Sequence, residues 1–377
     1  MDINNIDNSN NMDSNNKNSD YKFNQILFDE ISTIIFDVLK ENINTDSEAS
    51  NTNNNFIINK ELLNKLLEDD QISDDDVFFN NEPNCKDIFN YKNPELFFDQ
   101  LSNGGFYYPP KPFYKHIGLV LHSWATIKRF PIQFQPLYGL NEVKKSEQEK
   151  NNIYLDDSGS SDNSNSDNGN TDNSNNTNND NNGNKEEKND NEDSQKNEMV
   201  YFENLSDSVV DFINNKWGNG SKEEKKEFIL NFFKNLTNRN LLTLFSIRKT
   251  KLSLDTVLLP GPIQLIKSSN LLNIPGSNSK LTVSSKALSK HSIRSKDSFW
   301  GSDKGPELVK NKRSESVLIK ILAEPAWINI HLLPHNIQII EIRNIQGYGL
   351  RWSADGTFFR GFLEPQMEGG HEVGWKH

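Results

Sequence analysis

Between Trp327 and His377 the chain carries four of its seven histidines, three of its six tryptophans, and Arg343, Arg351 and Arg360. His331, His335 and His371, with Glu364 and Glu372, are ligands of the kind that hold zinc or a similar divalent metal. Three such groups and a bound water make a hydrolytic centre. Their spacing is not that of a metalloprotease helix. Leu332 follows His331 where an acid is needed, Pro334 interrupts any helix between His331 and His335, and Trp375 stands four residues after His371.

Anion recognition is the other chemistry on offer. Asp355-Gly356 is a strong two-residue turn signal. A hairpin closed on it pairs Trp352 with Phe359 on one face and Arg351 with Arg360 on the other. Directly opposed like charges are unfavourable in a sheet, so an anion is expected between them: Glu341, Glu364, Glu368, or a bound phosphate or carboxylate. Upstream, Lys286, Lys290 and Arg294 recur every fourth residue with His291 alongside, and Phe299-Trp300 follows. Cations next to aromatic faces suit RNA or DNA. Other chemistries lack their motifs: there is no G-x-S-x-G elbow, no P-loop and no G-x-G-x-x-G, and Cys85 has no histidine near it in sequence.

These residues need elements to position them. Trp327 to Leu332 alternates with period two, which predicts a strand with His331 on the face of Trp327 and Asn329. Ile337 to Ile342 is a second strand, and Gly347 to Trp352 with Thr357 to Leu363 form the hairpin. Helices are predicted from Pro306 to a point before Pro325, with Leu308, Val317, Leu318, Ile321 and Leu322 inward, and after the capping box Ser221–Glu224. Lys280 to Val283 reads as a strand end, and Lys251 to Leu259 begins to alternate like a strand. Earlier, apolar residues three and four apart predict helices over Tyr21 to Ile43, after Asn59, and from Tyr114 to Lys128. Asn93-Pro94-Glu95 opens another. His116 and His122 are expected to be surface or partly buried histidines.

The chain has 377 residues, 34% hydrophobic, with a mean hydropathy of −0.75. Two Asn/Asp/Ser tracts account for much of this, residues 1–20 and 146–198. They hold too little apolar surface to offset the ~1–2 kcal/mol of backbone entropy per ordered residue, so both are expected to be disordered. The expected organisation is a helical region over 21–145, a long Asn-rich insertion, and an α+β domain over 199–377 that ends in a small antiparallel sheet. The insertion could interrupt one domain or separate two. Net charge is −12, but from Arg239 onward 19 Lys/Arg face 11 Asp/Glu, so the first 238 residues carry −20. A single cysteine excludes an intramolecular disulfide. The first residues lack the features of a signal peptide, and no apolar run approaches the ~20 residues of a membrane span.

The reading that joins these observations is a cytoplasmic or nuclear binding protein without catalysis or cofactor and without a membrane. It recognises RNA or a phosphorylated ligand through Arg351, Arg360, Lys290 and Arg294. The alternatives are a divalent-metal hydrolase built on His331, His335, His371, Glu364 and Glu372, and a structural subunit that meets a protein partner.

Overall fold

The computed structural model describes residues 21–43, 56–70, 72–73, 75–79, 88–134, 137, 190–250, 252–294 and 298–366, and every structural statement refers to these. Residues 1–20 and 146–189 of the two low-complexity tracts lie outside them. Residues 190–198, expected in the second tract, instead open a helix.

Ten helices precede a four-stranded sheet. They are α1 (Gln25–Ile43), α2 (Lys60–Leu67), α3 (Pro94–Ser102), α4 (Phe113–Ile127), α5 (Asp190–Asp211), α6 (Lys222–Lys234), α7 (Asn238–Leu244), α8 (Pro262–Ser269), α9 (Val283–Arg294) and α10 (Glu307–Ala323). Local chemistry explains their ends. Asn59 accepts from the Glu61 amide at the start of α2, and Ser221 and Glu224 exchange both bonds of a capping box at α6. Pro94 and Pro262 occupy first turns, where a missing N–H costs nothing. The stripe Phe28, Ile31, Ile35, Val38 and Leu39 of α1 is buried against α4, whereas Ile26 falls off it and is 80% exposed.

His116 and His122 of α4 are fully buried, contrary to expectation. The His116 Nε2–H donates to the Leu244 carbonyl at 2.8 Å, which fixes the tautomer. Nδ1 then accepts from the Tyr107 hydroxyl at 2.8 Å. Burial pushes the pKa of His116 down to about 4. Its folded value lies below the unfolded one, so its contribution is complete above pH 6.5 and is lost as pH falls toward 4. Wild type should lose about 2 kcal/mol between pH 7 and pH 5 that His116→Gln, with no proton to take up, does not. Urea titrations of both proteins at the two pH values measure the difference.

The strands β1 (Trp327–Leu333), β2 (Ile337–Arg343), β3 (Gly349–Ser353) and β4 (Phe359–Leu363) form an antiparallel meander in sequence order. The protein is thus α+β, mainly helical with an antiparallel sheet at its C-terminal end. One face of the sheet carries two apolar rows in register: Ile328, Ile342, Leu350 and Phe362, then Ile330, Ile340, Trp352 and Phe359. Against this face pack α8, α9 and α10. Trp352 and Phe359 meet edge to face at 5.1 Å, and the Trp352 indole N–H donates to the Leu265 carbonyl of α8 at 3.2 Å.

Most of the buried apolar residues form one cluster from Phe28 to Phe362. The fully buried Glu315 of α10 adds a polar link to it, accepting from the Phe79 amide at 3.0 Å and from the Asn270 amide group at 2.6 Å.

Two strand expectations give way to other structure. Thr282 makes only an isolated bridge with Leu272, because Val283 already begins α9, and Ser253 makes only an isolated bridge with His331. Leu308, expected in the core, lies in the first turn of α10 and is 57% exposed.

The hairpin differs from its predicted form by one residue. Trp352 does pair with Phe359, but Arg351 pairs with Gly361 and a bulge lies between the two registers. The connection is longer than Asp355-Gly356. The Asp355 carboxylate accepts from the Ser353 hydroxyl and from the Thr357 amide and hydroxyl, while the Ser353 amide donates to the Phe358 carbonyl. Gly361 makes the bulge accessible, since its φ of +142° is closed to most side chains. Arg360 is therefore extruded and exposed, and it does not face Arg351.

Candidate active site

The second face of the sheet carries a central polar row. Pleating places Asn329, Glu341, Arg351 and Gly361 in one row across the four strands. The flanking rows are His331, Ile339 and Ser353 on one side, and Trp327, Arg343, Gly349 and Leu363 on the other. Alternation within IQIIEIR brings Glu341 to this face, because Ile340 and Ile342 take the core face.

Glu341, 2% exposed, is the centre of the row. Its Oε1 accepts from Arg343 Nε at 2.6 Å, and its Oε2 accepts from Arg351 Nη2 at 2.7 Å and Nε at 3.2 Å. His331 Nε2 faces Oε2 at 3.8 Å. Burial works to raise the pKa of this carboxyl, but the charges of Arg343 and Arg351, with His331 facing it, outweigh burial and hold it well below the usual range. Glu341 is thus a permanent anion, and it is what neutralises Arg351.

The two arginines differ in role. Arg343 is buried, and its Nη1 donates to the carbonyls of Gly347 at 2.6 Å and Glu364 at 2.9 Å. Its stem fits because residue 349 is glycine; a Cβ there would stand 2.8 Å from Arg343 Cγ. The side chain of Arg351 is 27% exposed, and its Nη1 makes no hydrogen bond among the described residues. That edge of its fork is available to an anion. Beside it, His331 presents its ring with Nδ1 3.3 Å from the Leu332 carbonyl and Nε2 toward Glu341, so either nitrogen can donate. The site therefore combines a partly exposed cation, a histidine, and a buried carboxylate that bonds the first and faces the second.

The other sequence-predicted residues do not join it. Lys290 is exposed on α9, which packs on the opposite, apolar face of the sheet. Arg294 ends α9, and its side chain lies outside the described residues. Glu364 is drawn into a separate buried cluster, where its Oε1 accepts from the Trp300 indole at 2.7 Å and meets His291 Nδ1 at 2.8 Å. His335 occupies a left-handed position in the β1–β2 turn, with φ at 64°. His371 and Glu372 lie outside the described residues. Among the described residues no three of His, Cys, Asp and Glu gather as a metal site.

Two contributors were not singled out as site residues from sequence. Ser253 Oγ–H donates to Asn329 Oδ1, and Asn329 Nδ2 donates to Thr250 Oγ1, both at 2.8 Å. No motif marks such a pair; only the weak alternation around Ser253 hinted at a strand-like neighbour.

Residues 273–364, about a quarter of the chain, match the family model described as the CdiA C-terminal tRNase toxin domain. The match begins in the loop before α9 and ends at Glu364, so it takes in α9, α10 and the whole sheet with His331, Glu341, Arg343 and Arg351. It leaves out Thr250 and Ser253. No curated protein and no solved structure matches the chain. No described helix is long and apolar enough to cross a membrane.

Proposed function

We propose that the C-terminal module is a ribonuclease acting on RNA of the tRNA class, with the polar face of the sheet as its active site. One observation carries this reading. Within the stretch similar to a tRNase toxin domain, a buried Glu341 holds a partly exposed arginine and faces a histidine on the same sheet face. Cleavage of RNA by its own 2′-hydroxyl needs a group that moves a proton and a cation for the phosphate, and these two residues are of those types.

In this scheme O2′ attacks the adjacent phosphorus, the P–O2′ bond forms and the P–O5′ bond breaks. The 2′-hydroxyl proton is lost and O5′ gains one, leaving a 2′,3′-cyclic phosphate and a 5′-hydroxyl. His331 carries one of these transfers and water the other. The Arg351 fork, open at Nη1, takes a non-bridging phosphate oxygen and stabilises the charge that grows on it. Glu341 keeps the fork aimed and stabilises the positive charge of the His331 ring whenever that ring holds the proton.

Purified full-length protein incubated with bulk tRNA should give fragments ending in 2′,3′-cyclic phosphate, with or without a chelator. Arg351→Ala should cut the rate about 100-fold or more and weaken retention of RNA. Intact tRNA after incubation with wild type would sink the nuclease reading. If the intact tRNA were nevertheless retained, in a salt-sensitive way that needed Arg351, a non-catalytic RNA binder would stand in its place. Cleavage abolished by the chelator and restored by a divalent metal would instead favour a metal-dependent hydrolase.

A further inference from the structure

The four-stranded meander leaves β1 at an edge, and an edge strand presents unpaired amides and carbonyls along its length. Here that edge is occupied by residues 247–250 and 252–254, which reach it from the helical part of the chain. The Arg248 amide donates to the Ile328 carbonyl at 2.8 Å, the Leu254 amide to the Ile330 carbonyl at 2.8 Å, and the Leu332 amide to the Leu252 carbonyl at 3.0 Å. His331 therefore stands between two residues of β1, Ile330 and Leu332, that are both bonded to this stretch.

The side chains of the stretch reach the polar face as well. Ser253 lies opposite His331 in an antiparallel bridge, so the two share a face. Ser253 and Thr250 grip the Asn329 amide from both ends, and Asn329 is 1% exposed in the row of Glu341 and Arg351. A serine hydroxyl and a threonine hydroxyl thus fix an amide that could otherwise flip. The stretch is held in turn from behind. Asp255 pairs with Arg239 at 3.2 Å and with Lys249 at 2.5 Å, and Arg239 of α7 also donates to the Ile247 carbonyl.

We infer that the active site is composite: Thr250 and Ser253, supplied by the helical part outside the family-matched stretch, are positioning residues for His331. This rests on the proposed role of His331, but the geometry that carries it is separate. Proton transfer in the cleavage step requires the imidazole to be placed to within a fraction of an ångström, and side chains in the surrounding shell commonly set such placement. A strand anchored on one side only would not hold it, and the upstream stretch supplies the second side.

The test uses the full chain. In Thr250→Val/Ser253→Ala, kcat for tRNA cleavage should fall about tenfold or more with KM unchanged, and the limb of the pH–rate profile that reports the histidine should move. Ser253→Thr, which keeps the hydroxyl, should retain the wild-type profile. A folded double variant with wild-type kcat and pH profile would overturn the inference. In parallel, the His331 ring resonance, assigned by its disappearance in His331→Gln, is titrated by NMR in wild type and in the double variant. Displaced titration curves support positioning by the upstream hydroxyls, and superimposable curves overturn it. If wild type leaves tRNA intact, the nuclease reading fails, and the NMR titration alone still decides this inference. Should the double variant unfold, Ser253→Ala, at a half-buried position, is read in the same two ways.

Discussion

Glu341→Ala should destabilise the protein by about 3–5 kcal/mol, the range for removing one partner of a buried ion pair, and abolish RNA cleavage. The carboxylate is 2% exposed and carries three hydrogen bonds from two guanidinium groups. Without it, Arg343 keeps only its two carbonyl acceptors in a buried position. Arg351 is left to swing, losing the aim that makes its open edge useful. The loss should appear as a midpoint shift in urea and a fall in melting temperature of roughly 5–10 °C, taking ~2 °C per kcal/mol for a chain of this size.

A pH dependence accompanies it. The folded pKa of Glu341 is below its unfolded value, so its contribution is complete above about pH 4.5 and is lost as pH falls through the depressed folded value. The difference in stability between wild type and Glu341→Gln should therefore shrink on acidification below pH 4.5. A Glu341→Ala protein that melted within a degree or two of wild type would show that the row Asn329–Glu341–Arg351 is not a coupled unit.

His331→Ala should reduce kcat for tRNA cleavage by about 10²–10⁴-fold, the usual contribution of a general acid or base, and leave stability nearly unchanged. The ring is partly exposed, and its two polar contacts are long, at 3.3 and 3.8 Å, so little folding energy rests on it. That asymmetry separates it from Glu341. One variant loses activity because the fold of the site collapses, the other because the proton has no carrier. His331→Gln should be equally slow, since glutamine keeps hydrogen-bonding capacity but does not titrate near neutrality. A fully active His331→Ala enzyme would move the proton transfer to another residue and remove the main support for this face as the active site.

The hairpin shows how far residue patterns reach and where they stop. Asp355-Gly356 correctly announced a reversal, and the Trp352–Phe359 pair exists. The opposition of Arg351 to Arg360 does not. The Asp355 side chain builds a longer connection, and Gly361 admits a bulge that moves the register by one. A single residue decides such a slip, and alternation is blind to it because the core face remains satisfied on both sides of the bulge. The question that pairing raised, what neutralises Arg351, nonetheless has an answer among the candidates first named, which is Glu341.

Other features followed directly from residue types: the α6 capping box, the alternation that puts His331 and Asn329 on one face, and the antiparallel sheet after a mainly helical stretch. Each depends on neighbours within a few residues, so local sterics and hydrogen bonding suffice to specify it. What only the three-dimensional packing settled lies at long range. The Thr250–Asn329 and Ser253–Asn329 bonds join residues more than sixty positions apart, as do the His291–Glu364 and Trp300–Glu364 contacts that keep Glu364 away from His331. Such partners are chosen by which surfaces the core brings together, and that depends on burying the whole cluster at once, from Phe28 to Phe362. Period and charge marked out His331, Glu341 and Arg351; the register of the sheet, packed against its helices and bordered by the stretch after α7, determined that they meet.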